Sequence, residues 1–273
     1  MSYKIGFTAN DYEKEILDIK ITQQNTCTPR KSLVDVYFSE NGCSFIYFND
    51  NFDLKKGDIV FVDGKFEGIR GLVTKVSYNF KIKLSDYKKV IAVADTKISG
   101  KFFFANSHMI SFNKSTIPYS KVITWYKAKG NDEEEIIYGE DDNTEEYKLD
   151  DFPGIGFTSE IVSRGHEYYT DNNVVYISVD GTKGKAIVFG SKAYEVDFTY
   201  KNGMISNLVC DCYCNYHCKH EAAVMFQLSE TINMIEKNYE DKLSESEYFA
   251  AISKYSLFSV TTSADKPGSI IFE

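Results

Sequence analysis

Four of the six cysteines and two of the four histidines fall within eleven consecutive residues, in the order Cys210, Cys212, Cys214, His217, Cys218, His220. Thiolate sulfur and imidazole nitrogen suit Zn²⁺ in a closed tetrahedral shell, and a Cys-x-Cys pair followed by Cys-x-His supplies four such donors. The competing reading is a set of inert thiols or a disulfide pair. Cysteines this close make strained disulfides, and packing does not explain the histidines beside them, so a metal site is the better account. Cys214 and His217 lie within reach as further donors, and period-two alternation puts Cys212 and Cys214 on one strand face as readily as Cys210 and Cys212.

A site of this kind needs a strand to deliver its first pair and a helix to deliver its second. Residues 204–209 read as a strand running into Cys210. After Cys218 the apolar period changes, and Ala222, Ala223, Phe226, Leu228, Ile232 and Ile235 recur at helical intervals. Upstream, residues 156–169 read as a helix ending in a turn at Asp171-Asn-Asn. Three strands follow, starting at Val174, Gly184 and Tyr194, punctuated by Asp180-Gly and Lys201-Asn-Gly.

The runs RGHEYY (164–169), VVYISVDG (174–181), KAIVFGSKAYEV (185–196) and CKHEAAVMFQL (218–228) resemble the SWIM-type zinc-finger family over residues 160–230. The resemblance implies one structural Zn²⁺ held by Cys210, Cys212, Cys218 and His220, a role for Arg164 and His166 in a structural turn, and binding to DNA or to protein. The spacer between Cys212 and Cys218 is five residues, short for that pattern, and Tyr213 stands where a proline is often found. A shell starting at Cys212 and Cys214 would leave three spacer residues, too few to turn from strand to helix around a tetrahedron, so Cys214 is the reserve ligand. Four ligands close the shell, which makes the metal structural rather than catalytic. Glu221 follows His220, and one helical step directs it about 100° away. His217 reads as a surface residue, and Lys219, between two ligands, as a cation presented outward to a phosphate.

The front of the chain has a different character. Residues 1–131 carry 20 Lys+Arg against 13 Asp+Glu, a net of +7; residues 132–151 carry 1 against 11, a net of -10; residues 152–273 carry 10 against 16, a net of -6. The overall -9 therefore conceals a basic front half. Residues 3–24 read as a helix capped by Asn10 running into a strand. From Leu33 onward, short strands and tight Asn-Gly and Gly-Asp turns predict a small mostly-β, barrel-like domain. The run from Val34 to Val76 resembles small barrels at the front of some bacterial DNA-replication and sporulation-associated proteins. Lys65, Arg70, Lys75, Lys81, Lys83, Lys88 and Lys89 are interleaved there with Phe66, Tyr78, Phe80 and Tyr87, the combination that tracks phosphates and stacks bases. The plainer account of Lys81 and Lys83 is an alternating strand with Phe80, Ile82 and Leu84 facing inward. His108 and Trp125 read as packing residues.

The expected architecture is thus α+β: a mostly-β domain over 1–131, an acidic linker or mobile loop over 132–151, and a SWIM-like domain over 152–273 ordered helix, antiparallel strands, zinc loop, helix. No run of about 18 apolar residues and no signal-peptide segment is present, so a cytoplasmic protein is expected, with Cys27 and Cys43 as structural thiols. No phosphate-binding glycine loop, His-Glu-x-x-His or Gly-x-Ser-x-Gly occurs. The expected function is a non-enzymatic zinc-binding interaction protein that binds nucleic acid through its front half. A protein-protein adaptor for a larger ATPase or other machine is the alternative, and a thiol/zinc redox sensor using Cys214 the third.

Overall fold

A computed structural model describes residues 29–128 and 145–261, and the backbone of 270–272. The helix-strand expectation for residues 3–24, Cys27 and most of the acidic segment lie outside the described residues.

The chain is mixed α and β, built on two largely antiparallel sheets. The first has five strands, β1 (Ser32–Phe38), β2 (Cys43–Asn49), β3 (Ile59–Val62), β4 (Gly71–Ser77) and β5 (Val90–Ala94), in the order β2-β1-β4-β3-β5. Asn41 and Gly42 make the β1–β2 turn, where Gly42 takes φ +61°, in the left-handed region that glycine enters without steric cost. One parallel bridge, Phe48 to Lys89, joins the β2 edge to the approach of β5. Inward alternation of Val34, Val36 and Phe38 with Val60, Val62 and Val73 forms the core of this sheet, and Phe38 stacks on Phe66 at 4.4 Å.

Between β4 and β5 the expected strand over Phe80–Leu84 is absent. Residues 78–89 run as a loop with one 3-10 turn, Leu84–Asp86, and Leu84 is half exposed. Apolar alternation makes a strand only where a partner strand is in reach, and here Phe80 instead packs edge-on against Phe48.

The second sheet has nine strands in the order β14-β6-β7-β13-β9-β10-β11-β12-β8. These are β6 (Gly100–Ala105), β7 (His108–Ser111), β8 (Tyr147–Lys148), β9 (Val174–Asp180), β10 (Lys183–Phe189), β11 (Ala193–Lys201), β12 (Met204–Cys210), β13 (Tyr248–Ser253) and β14 (Ile270–Phe272). Pairing crosses the expected boundary at 131: β7 lies against β13, and β8, from the acidic segment, pairs with the start of β12. Strand β9 is buried along nearly its whole length, which explains its continuous apolar run. One face of the sheet packs on the helices α3 (Ser159–Thr170) and α4 (Lys219–Asn238), which follow the short α1 (Tyr119–Val122) and α2 (Phe152–Ile155). The opposite face buries Tyr176, Ile187 and Ile252 with Trp125 and with Ile59 and Ala94 of the first sheet, so a shared core joins the two sheets. The helices α5 (Glu240–Ser246) and α6 (Lys254–Thr261) flank β13.

Trp125 is fully buried and donates its indole N–H to Asp95 O at 2.8 Å. His108 is buried, with Nε2 2.7 Å from Val174 O. Arg164 and His166 stand in the middle of helix α3, exposed, rather than in a turn: the chain turns earlier, between α2 and α3 at Gly156, where φ is +99°. Among the described residues no helix is long and apolar enough to cross a membrane.

Candidate metal centre

Strand β12 carries Cys210 to the end of its ladder, where Cys210 lies opposite Val196 of β11. The next residue, Asp211, fastens that end. Its N–H donates to Glu195 O at 3.0 Å, and its Oδ1 accepts from the Glu195 N–H at 2.9 Å. Lys127 reaches in from the front half and places Nζ 2.8 Å from Asp211 Oδ2 and 2.6 Å from Glu195 Oε1. Tyr119 donates its hydroxyl to the other oxygen of Glu195. Salt bridges to Lys127 and the Tyr119 hydrogen bond hold Glu195 below the usual carboxylate range despite burial, and the two carboxylates raise Lys127 although burial opposes them.

The second pair sits at the start of α4. Cys218 is the N-cap, in an extended conformation, and His220 lies in the first turn. Glu221 closes a capping box, its Oε2 accepting the Cys218 N–H at 2.9 Å. The side chain therefore does not point away from the site: it turns back along the helix start, because the first N–H groups of a helix have no internal acceptor. The same Oε2 lies 2.9 Å from His217 Nδ1, and the His217 ring rests against Phe157 at 4.9 Å. His217 is thus half-buried and engaged, rather than a free surface residue.

Helix α4 is held close to α3 by Gly165. A Cβ there would stand 2.5 Å from Ala222 Cβ and 3.1 Å from the Ala223 backbone nitrogen. His220 is wedged between two tyrosines, stacked on Tyr194 at 4.2 Å and edge-on to Tyr168 at 5.5 Å.

These elements bring Cys210, Cys212, Cys218 and His220 together with their ligand atoms all within 4.8 Å of one another. His220 Nδ1 is 3.6 Å from Cys210 Sγ and 3.7 Å from Cys218 Sγ. The four residues could bind one metal ion. Their electrostatics favour a cation. The hydrogen bond from Cys210, aided by His220, brings Cys218 down to about 4 against burial. That hydrogen bond and burial push Cys210 up, and burial, with the Cys218 charge, pushes Cys212 up to about 12. Three such sulfurs become compatible as thiolates only around a positive centre. Cys214 is exposed and stays outside the four-atom cluster, beside Cys212.

The basic candidates are dispersed. Lys75 projects from β4, and Lys81, Lys83 and Lys88 are exposed on the 78–89 loop. Lys65 lies over Phe66. Arg70 is turned over Tyr126 at 5.8 Å, and Lys89 is committed to Asp50 at 2.8 Å. Lys219 belongs to the metal region, where Nζ donates to Tyr168 Oη at 2.6 Å.

Sequence reasoning did not find Lys127, Asp211, Tyr194 or Gly165. Glu221 was readable as the N3 partner of a capping box, except that Cys218 replaces the usual serine or threonine. Comparison with protein-family models, with curated proteins and with solved structures gives no match to this chain.

Proposed function

We propose that the cluster holds a single structural Zn²⁺ and that the chain is a non-enzymatic interaction protein of the SWIM type, binding nucleic acid. The observation that carries the metal reading is the spacing of His220 Nδ1 from the two sulfurs, 3.6 and 3.7 Å. Zn–S and Zn–N bonds of about 2.3 and 2.05 Å at a tetrahedral angle put sulfur and nitrogen about 3.6 Å apart. Three thiolates and one imidazole fill a tetrahedral shell, so the ion's chemistry is cross-linking. It would fix the end of β12 to the start of α4, with Asp211 and Glu221 orienting the two ligand pairs.

The nucleic-acid reading is supported by the exposed loop that carries Lys81, Lys83 and Lys88, next to Lys75 and to Tyr78, over which Arg30 lies at 4.5 Å. Its test uses the full zinc-loaded chain, because β6 and β7 of the front half are built into the large sheet. Replacing Lys81, Lys83 and Lys88 by alanine should weaken binding to a labelled oligonucleotide and flatten its salt dependence by about two to three units. Equal affinity and an equal salt slope would remove this surface from the reading.

A protein-adaptor role has one observation of its own. A groove of about 740 Å³ beside the metal loop is lined by Ile155, Ile161, Leu208, Val209 and Tyr216, and Tyr216 is 87% exposed. Copurification of a protein partner that a Tyr216→Ala substitution releases would favour it.

A further inference from the structure

The metal loop and its supports carry a surface that the front-half lysines do not explain. Tyr213, between two cysteines, is 93% exposed. Lys192, in the β10–β11 turn, places Nζ 5.1 Å from the Tyr213 ring centre and 5.4 Å from that of Tyr194. Tyr194 stacks on His220, and Tyr168 meets the same imidazole edge-on. Lys219 Nζ lies 4.2 Å from the Tyr168 ring centre. Gly190 sits between the two tyrosines: a Cβ there would be 3.1 Å from Tyr194 and 3.4 Å from the Tyr168 hydroxyl. Tyrosine and lysine thus share one continuous strip, Tyr213, Lys192, Tyr194, Tyr168, Lys219, with His220 between the two middle tyrosines.

Two features give the strip a direction. Neither Lys192 nor Lys219 is paired with a carboxylate among the described residues, whereas Lys89, Lys114, Lys121, Lys127 and Lys185 all are. The carboxylates of the metal region are also already engaged, Asp211 and Glu195 by Lys127 and Glu221 by His217 and the helix start. The strip's two lysines therefore have no carboxylate partner among the described residues, and they outweigh the single net negative charge that three thiolates leave on a Zn²⁺ ion, so the strip is weakly positive beside aromatic faces although residues 152–273 are acidic overall. Tyr213 buries almost none of its ring within the chain and meets Lys192 at 5.1 Å, and a large aromatic ring held out by a metal-fixed loop is suited to stacking on a flat partner.

We propose that this strip is a binding site for single-stranded nucleic acid, with a base stacked on Tyr213 and neighbouring phosphates at Lys192 and Lys219. This rests on the nucleic-acid reading above and relocates its principal contact from the front loop to the metal loop. Unpaired bases present the open face that stacking needs and a flexible backbone that can follow two lysines, which a duplex does not.

The test is fluorescence anisotropy of the full zinc-loaded chain with labelled oligothymidylate, oligouridylate and a duplex of matched length. Tyr213→Ala should weaken single-strand binding by about 5- to 160-fold, the range for losing one stacked base, while Tyr213→Trp retains it. Lys192→Gln should lower the salt slope by about one. Because Tyr213 is exposed, zinc content and melting temperature should be unchanged in both Tyr213 variants, which separates a lost contact from a lost fold. The two single strands distinguish DNA from RNA. Unchanged binding by Tyr213→Ala, with loss in the Lys81, Lys83 and Lys88 variant, would overturn this inference and leave the front-half reading standing. Failure of the unsubstituted chain to bind any of the three probes would overturn both.

Discussion

Lys127 Nζ lies 2.8 Å from Oδ2 of Asp211, the residue between the two cysteines of the Cys-x-Cys pair. The contact spans 84 residues of chain and ties the end of the front half to the Cys210–Cys212 pair. Lys127 is a cation for Glu195 as well, so one amine bridges two carboxylates that otherwise face each other across the end of β11 and β12. Replacing it by methionine would keep most of the aliphatic stem and leave both carboxylates uncompensated. The expected cost is about 1–3 kcal/mol in unfolding free energy, since breaking a partly buried pair leaves the partner's desolvation unmet. Transfer of zinc to a colorimetric chelator should be faster than in the unsubstituted protein. An unchanged transfer rate would show that the brace does not reach the metal.

Cys218 and Cys214 make opposite predictions although only four residues apart. Cys218 is buried at the helix N-cap within the four-atom cluster, and Cys214 is exposed outside it. Cys218→Ser should bring metal content by atomic spectroscopy to near zero and destabilise the joint between β12 and α4. Cys214→Ser should retain one ion per chain. Metal loss in the second variant alone would move the shell to the register that uses Cys214.

Gly165 tests the helix pair that positions His220. A methyl group there meets Ala222 Cβ at 2.5 Å and the Ala223 backbone at 3.1 Å, so one helix must move. Gly165→Ala should gain a few tenths to about 1 kcal/mol of helix propensity and lose more to overpacking, a net destabilisation of about 1–2 kcal/mol. The melting temperature should fall, and zinc affinity with it, because Cys218 and His220 ride on the displaced helix. A variant that melts higher than the parent would mean that the helices separate without strain.

The four residues that cluster were legible as candidates because they lie within eleven residues, and the strands and helix around them because their apolar periods are regular. The braces were not. Nothing local to Lys127 distinguishes it from Lys121 or Lys129, and its partners become neighbours only once β11 and β12 pair. The placement of β6 and β7 in the large sheet was hidden for the same reason, since strand pairing between residues 108–111 and 250–253 leaves no trace in either segment. The opposite error occurred at Phe80, Ile82 and Leu84, where a correct period was present without a neighbouring strand to use it. Arg164 and His166 were placed in a turn by resemblance, while the amphipathic spacing of Ile161, Val162, Gly165, Tyr168 and Tyr169 already favoured the helix they occupy.

His108 supplies a pH prediction away from the metal. It is fully buried, and burial lowers its imidazole from 6.5 to about 4, with the Val174 carbonyl only partly opposing. The neutral ring is fully satisfied: Nε2–H donates to Val174 O at 2.7 Å, and Nδ1 accepts from the Ser107 hydroxyl at 2.9 Å. In the unfolded chain the ring takes up a proton near pH 6.5, whereas in the folded chain it does so only near pH 4. The unfolded state therefore binds more protons between these values, and stability falls as pH is lowered through that window. The contribution is complete above about pH 6.5 and amounts to about 3 kcal/mol lost by pH 4. His108→Gln, which removes the titration but keeps a polar side chain, should flatten the decline of the unfolding midpoint from pH 6.5 to 4. Excess zinc throughout makes metal loss common to both proteins, so that the difference between their profiles belongs to His108. Parallel profiles over this range would show that another group sets the acid limit of the fold.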